Sequence, residues 1–488
     1  MRISWDRLLC SETVAPKEKV PKSWVDYPLD PFERDYREII LSVSFRRLQD
    51  KSQVYQFGKG DFVRTRLTHS LEVSTIAKQL GNMLIFNEKW NHIPAFQNLS
   101  ISQARAIPTV LACSGLLHDL GNPPFGHEGE DVIGSWFRTN LFRSDFTYFG
   151  KPIGSLLSEQ QKRDLCTFEG NAQVIRTLSR CRFPSEEQEA NVTYATMSTL
   201  IKYPANSLEK DRENEDPRIH KFSYYASEEK LVKTIREKTG MDLPDEPHAR
   251  NPLTFLLEAA DDIAYVTSDI EDAVVKKSIS VYQLTSFMRK KIDEIPREGD
   301  EMHQLQIMTA EGILNNLLLR LENCEGDEHQ EFSAVQHWTE YVRNWLMYVT
   351  ATSFVNNWET IMNGTHRDDL LRASHHRYTI KILKAEMYQN VYPLLADIHA
   401  AAYTILSDLI GRFARAVAEW DTEKTLEPGF HNYIQLIPEK LRNAYHKEKG
   451  SDEIENLYLR LRMVNDFISG MTDGYALELY QKLNAIFY

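Results

Sequence analysis

The sequence predicts a mostly α-helical fold, and three observations predict it. Apolar residues recur at helical spacing along most of the chain, alternating strand-like runs between turn dipeptides are scarce, and no linker rich in Gly or Ser divides it. Residues 1–31 carry prolines without regular apolar spacing and read as an N-terminal arm. Over residues 35–48, Ile39, Ile40, Val43 and Leu48 mark an amphipathic helix; over residues 70–85, Leu71, Val73, Ile76, Leu80 and Leu84 mark another. Residues 109–117, 252–272 and 454–468 read the same way. Residues 206–218 (NSLEKDRENEDPR) are charged and apolar-poor, as a solvated loop is. Pro244, Pro247 and Pro252 lead into the helix that begins near residue 252, with Pro252 in its first turn. Beyond Lys277 the helical pattern continues through 305–321, 332–355 and 381–414. No internal repeat is visible.

At 488 residues the chain is longer than a typical domain, yet one large core with insertions accommodates it. Hydrophobic residues at 42% and charged residues at 26% suit a soluble globular protein. The longest apolar run, residues 107–117, is short and broken by Pro108, Ser114 and Gly115, so no membrane span is expected. The N-terminus lacks an apolar leader run, and a cytoplasmic location is expected. Cys10, Cys113, Cys166, Cys181 and Cys324 form no CxxC pair, which argues against a disulfide framework and a thiolate metal site. The 57 basic and 70 acidic residues give a net charge of −13. Such a chain is not coated in nucleic acid, and one acting on an anion must concentrate its cations in one place.

The chemistry is carried by His118-Asp119, which opens HDLGNPPFGH at the end of an apolar helix and the start of a Gly/Pro loop. Adjacent His and Asp cannot both face a core, but both can face a cation where a helix ends and the chain turns. His69 begins an amphipathic helix in RTRLTHSLEV, and Asp261 and Asp262 lie in LLEAADDIAY on an otherwise apolar helix. A lone His on a helix is ordinarily satisfied or exposed. In the order His69, His118-Asp119, Asp, these residues form a stronger pattern. Two imidazoles with two carboxylates suit a mid-row divalent ion better than calcium or structural zinc. His127 and Glu130, at i and i+3, are spaced so that the carboxylate can orient the imidazole. Arg66, three residues before His69, falls near the ligand face.

The order H…HD…D resembles the HD superfamily of metal phosphohydrolases. The longer strings SFRRLQDKSQV (44–54), RTRLTHSLEV (64–73), LLHDLGNPPFGHEGE (116–130), FEGNAQ (168–173), EAADDIAY (258–265) and DFISGMTDGYA (466–476) resemble the bacterial dGTP triphosphohydrolases. The resemblance implies an HD helical phosphohydrolase core over residues 32–280 with charged loop insertions, and a helical C-terminal part, 281–488, packed on it. It implies hydrolysis of dGTP, or dNTPs more broadly, to deoxynucleoside and triphosphate, with one divalent ion, Mn or Mg, held by His69, His118, Asp119 and Asp261. Asp261 is preferred over Asp262 because Asp261, Tyr265 and Asp269 share one helix face, whereas Asp262 points roughly 100° away. By the same resemblance His127 is the general acid–base and Glu130 its partner. Arg66, Asn171, Lys202, Tyr203 and Lys221 contact phosphates, Gln53 and Asp269 hold the 3′-hydroxyl, and Tyr265 packs on the sugar. A homo-oligomer, a hexamer by resemblance, and a response to single-stranded DNA or a dNTP effector are also implied. Arg289-Lys290-Lys291 is a basic cluster of the kind an effector needs, but it reads first as a solvated face. The rival readings are another HD enzyme, a nucleotidase or phosphodiesterase, and a nucleotide- or single-stranded-DNA-sensing module.

Overall fold

Two helices carry the histidines, and local sequence explains both. Thr65 and Thr68 exchange side-chain-to-backbone hydrogen bonds at the start of Arg66–Phe86. Ser100 and Gln103 do the same for Ile101–Leu117, which continues through Pro108. Each pair satisfies amides that a helix start leaves open. The two helices approach until their backbones nearly touch: a Cβ at Gly115 would lie 2.5 Å from the Cα of Ser74. Only glycine permits that approach, and the Ser74 hydroxyl donates to the Ala112 carbonyl at 2.9 Å. His69, in the first turn of one helix, thereby meets His118, the C-cap of the other. A third helix, Pro252–Val275, starts with Pro252 in its first turn behind an Asn251 cap and packs on both.

This computed structural model describes residues 2–15, 30–53, 64–180, 189–322, 328–372, 374, 376–386, 396–423, 426 and 428–486. Among them the regular structure is helical, apart from one antiparallel pair, Thr147–Tyr148 with Lys151–Pro152, and a few isolated bridges between loops. None of these helices is long and apolar enough to cross a membrane. The expected helix over 35–48 breaks at Ser42, whose hydroxyl accepts from the Phe45 amide and starts a separate turn, Val43–Arg46. The run 381–414 falls on two helices, Arg377–Glu386 and Ala396–Ala418. Of the expected arm, Ile3, Trp5 and Leu8 are docked in the core, and the Trp5 indole donates to the Ala95 carbonyl at 2.7 Å. The loop 206–218 is largely exposed but ends on buried Arg218, held by Asp216 and Glu246.

Apolar burial gathers in two large clusters. The first joins the helices that carry His69, His118 and Asp261 with residues as distant as Leu383. The second places Val132, Ile133 and Phe137 of Gly126–Asn140 together with Leu406 and Phe413 of Ala396–Ala418 and Leu461 and Val464 of Glu453–Ser469. The helix that follows the His-Asp pair is thus rooted among C-terminal helices. Between the clusters, buried Arg176 forks onto Asp466 at 2.6 and 2.8 Å and reaches Glu228 at 2.9 Å. The two-pronged pairing satisfies charges that burial would otherwise leave costly.

Candidate active site

At the seam of the two clusters lies a cavity of about 820 Å³. All of the residues that the sequence singled out as metal, acid–base, phosphate or sugar positions line it. Its floor holds His69, His118 and Asp119, whose ligand atoms lie within 4.8 Å of one another. Asp261 Oδ1 is 3.4 Å from the Nε2 atoms of both His69 and His118. His118 Nδ1 sits 2.7 Å from the Gly115 carbonyl oxygen, which can only accept, so Nδ1 carries the proton. The Nε2 lone pair then faces the carboxylates of Asp119 at 3.5 Å and Asp261 at 3.4 Å, buried and without a hydrogen-bond donor among the described residues. Three acceptors pointing at one another call for a cation between them, and the donor set fits a divalent ion. Burial alone would lower the His118 imidazole; the two carboxylates reverse this and raise it.

Asp119 is itself supported: Arg66 donates to Oδ2 at 2.7 Å and Asn122 to Oδ1 at 2.5 Å. Burial opposes its charge, yet Arg66 and then the two histidines hold its carboxyl well below the usual range. Lys202 donates to Asp261 Oδ2 at 2.9 Å. The neighbouring Asp262 turns away and accepts from Lys384 at 2.7 Å, and burial still lifts its carboxyl to about 6.

His127 stands at the cavity mouth with its side chain 79% exposed, so a bound molecule can reach it. Its Nδ1 lies 2.8 Å from Glu130 Oε2, and Glu130 Oε1 accepts from the Gly170 amide at 2.7 Å. The bond to Glu130 raises the imidazole above its ordinary value. The turn before it is unusual. Phe125 and Gly126 both have left-handed backbones, and a Cβ at Gly126 would meet the Arg66 guanidinium at 2.7 Å.

Lys and Arg side chains line the cavity together with carboxylates, among them Arg66, Lys202, Arg212 and Lys221. Lys221 lies 3.6 Å from buried Glu169, and Asn171 donates to the same carboxylate at 2.8 Å. Burial raises Tyr203 to about 12, keeping it a neutral hydrogen-bond donor. On the opposite side, both oxygens of Asp269 and Oε1 of Gln53 are buried without a hydrogen-bond partner among the described residues. Burial lifts the Asp269 carboxyl to about 7. Buried polar atoms in native proteins are seldom left unbonded, so these two point to a polar group of a ligand.

Comparison with known proteins gives two family matches: the HD domain over residues 66–196 and the phosphohydrolase-associated domain over residues 373–482. A deoxyguanosinetriphosphate triphosphohydrolase-like protein of Listeria monocytogenes is 38% identical over 99% of this chain and 100% of its own. One of the same description from Pseudomonas aeruginosa is 31% identical over 99% and 98%. A deoxyguanosinetriphosphate triphosphohydrolase of Cronobacter sakazakii is 30% identical over 93% and 94%. The chain belongs to the HD-domain deoxyguanosinetriphosphate triphosphohydrolase family. It is accordingly a metal-dependent phosphohydrolase.

Sequence reasoning missed several residues of this HD site. Asn122 and Glu169 were findable: Asn122 lies three residues beyond Asp119 in the same turn, and Glu169 adjoins Gly170 in the FEGNAQ string. Lys384, Asp369, Arg372 and His399 also line the cavity. They come from a stretch with no local signature and reach the HD site only through tertiary packing.

Proposed function

We propose that the protein hydrolyses deoxynucleoside triphosphates, dGTP foremost, to deoxynucleoside and intact triphosphate. The observation that carries this reading is the convergence of His69, His118, Asp119 and Asp261 beside the His127–Glu130 pair, under a cation-lined wall. Those four side chains would hold one divalent ion, Mn or Mg, which when bound supplies Lewis-acid polarisation of a phosphate oxygen and a more acidic water. Lys202, Lys221 and Arg66 offset the polyanion's charge, with Tyr203 and Asn171 donating to phosphate oxygens. Gln53 and Asp269 meet the 3′-hydroxyl. Tyr265 lies against the sugar and leaves no space for a 2′-hydroxyl. Water attacks the α-phosphorus, and the bond from that phosphorus to O5′ breaks. His127, oriented by Glu130, gives a proton to the departing O5′, and the proton lost by the water restores the balance. The guanine preference follows the names of the relatives and the resemblance of the motifs. The same reading includes a homo-oligomer, a hexamer by resemblance, with single-stranded DNA or a dNTP as effector.

The test is to incubate the Mn- or Mg-loaded protein with each dNTP and with GTP and to separate the products by chromatography. Free triphosphate with deoxyguanosine, and no turnover of GTP, is the expected result. Monophosphate or orthophosphate would make it another HD enzyme. Binding without turnover would make it a sensor.

A further inference from the structure

We infer that Asp473 is a positioning residue that ties the Gln53 segment to the turn presenting His127, coupling the C-terminal part of the chain to the hydrolytic site. The inference rests on the role given to His127 above. Asp473 opens the helix Asp473–Leu483 and is buried. One carboxylate oxygen accepts from the Phe125 amide at 3.0 Å, the other from the Ser52 amide at 2.9 Å. Ser52 adjoins Gln53 and bridges to Thr65, the cap of the His69 helix. Phe125 lies two residues before His127 and holds a left-handed backbone, which an aromatic residue adopts only where its surroundings impose it. A carboxylate suits this place because both incoming groups are donors and it offers only acceptors.

A second clamp runs parallel to the first. The Lys51 ammonium donates to the Asn122 carbonyl at 2.6 Å and to the Ser469 carbonyl at 2.7 Å. Asn122 in turn holds Asp119. The segment from Ser469 to Asp473 therefore grips the His-Asp loop at both ends, from a part of the chain that supplies none of the proposed metal ligands. The string DFISGMTDGYA, which the site chemistry leaves unused, acquires a role as the tie between the second cluster and the His-Asp loop.

The test uses Asp473→Asn in the full-length, metal-loaded protein. The carboxamide keeps the shape but turns an NH₂ toward one of the two amides, leaving a buried N–H unpaired. With the His127 turn released, kcat for dNTP hydrolysis should fall roughly ten- to a hundredfold, with metal affinity unchanged. Hydrogen exchange at the Phe125 and Ser52 amides should quicken. Thr472→Ala is the control: it removes the cap hydrogen bond to Tyr475 in the same helix without touching the bridge. It should lower Tm and leave kcat intact. Wild-type kcat in Asp473→Asn, an equal loss in Thr472→Ala, or unchanged exchange at Phe125 and Ser52 would each overturn the inference. A wild-type protein inactive on every dNTP would instead refute the reading of His127, and the exchange rates would still decide whether Asp473 holds the turn.

Discussion

The Nδ1–H of His118 is committed to the Gly115 carbonyl, which leaves Nε2 facing two carboxylates. His127 is committed to Glu130 but stands open at the mouth. These different commitments predict different phenotypes. His118→Ala should abolish both turnover and metal uptake. His127→Ala should abolish turnover while the ion still binds, measured by calorimetric titration with Mn. Loss of the ion in the second variant would make His127 a ligand. Asp269 yields a pH prediction. Its carboxyl is raised to about 7 by burial, above the unfolded value near 4. The stability it contributes is therefore full below about pH 4 and is lost as pH rises through about 7. In metal-free protein, Asp269→Asn should gain in Tm over wild type as pH rises from about 4 to 7, and hold that advantage above it. Parallel Tm curves over that range would show that Asp269 does not titrate there. At this scale the adjacent His and Asp and the DD pair were legible because chemistry restricts what such neighbours can do. The pairing of Asp262 with Lys384 shows what was not, because the partner lies far away in sequence.

The helices that carry the candidate ligands meet because glycine lets them. A methyl group at Gly115 would intrude on the Ser74 backbone, which cannot move as a flexible side chain does. Gly115→Ala should cost about 1–3 kcal/mol or more in urea unfolding and weaken Mn binding by separating His69 from His118. Unchanged affinity would mean that the helices tolerate the separation. The C-terminal helix Glu453–Ser469 is fixed by Asp466. Burial works against its charge, but Arg176 and Arg180 hold the carboxyl well below its ordinary range. Its stabilisation is present above the unfolded carboxyl value near 4 and is lost as pH falls toward the depressed native value. Asp466→Asn should destabilise by about 3–5 kcal/mol at pH 7, because buried Arg176 loses its two-pronged partner and keeps only Glu228, and by less at pH 3. An equal cost at both pH values would deny the ion pair that role. Helix positions were readable from apolar spacing. The break at Ser42 was not, because a hydroxyl cap interrupts the helix without disturbing the apolar pattern.

Across the whole molecule, the helices that carry the candidate metal ligands are packed in one apolar cluster, and His127 lies on a helix rooted in the other. Residues 281–446 showed only helical periodicity, yet Lys384 and His399 line the cavity, so packing recruits side chains that no local pattern marks. The helical class was legible because 3.6-residue spacing is a local property; the seam was not, because it depends on which helices share a core. A chain of net charge −13 gathers Arg66, Lys202 and Lys221 around one cavity, as hydrolysis of a polyanion requires. The most direct measurement is hydrolysis of dGTP in ¹⁸O-labelled water, with both products analysed by mass spectrometry. Attack at the α-phosphorus predicts one ¹⁸O in the released triphosphate and none in deoxyguanosine. Label in the nucleoside, or release of orthophosphate or pyrophosphate in place of triphosphate, would contradict it.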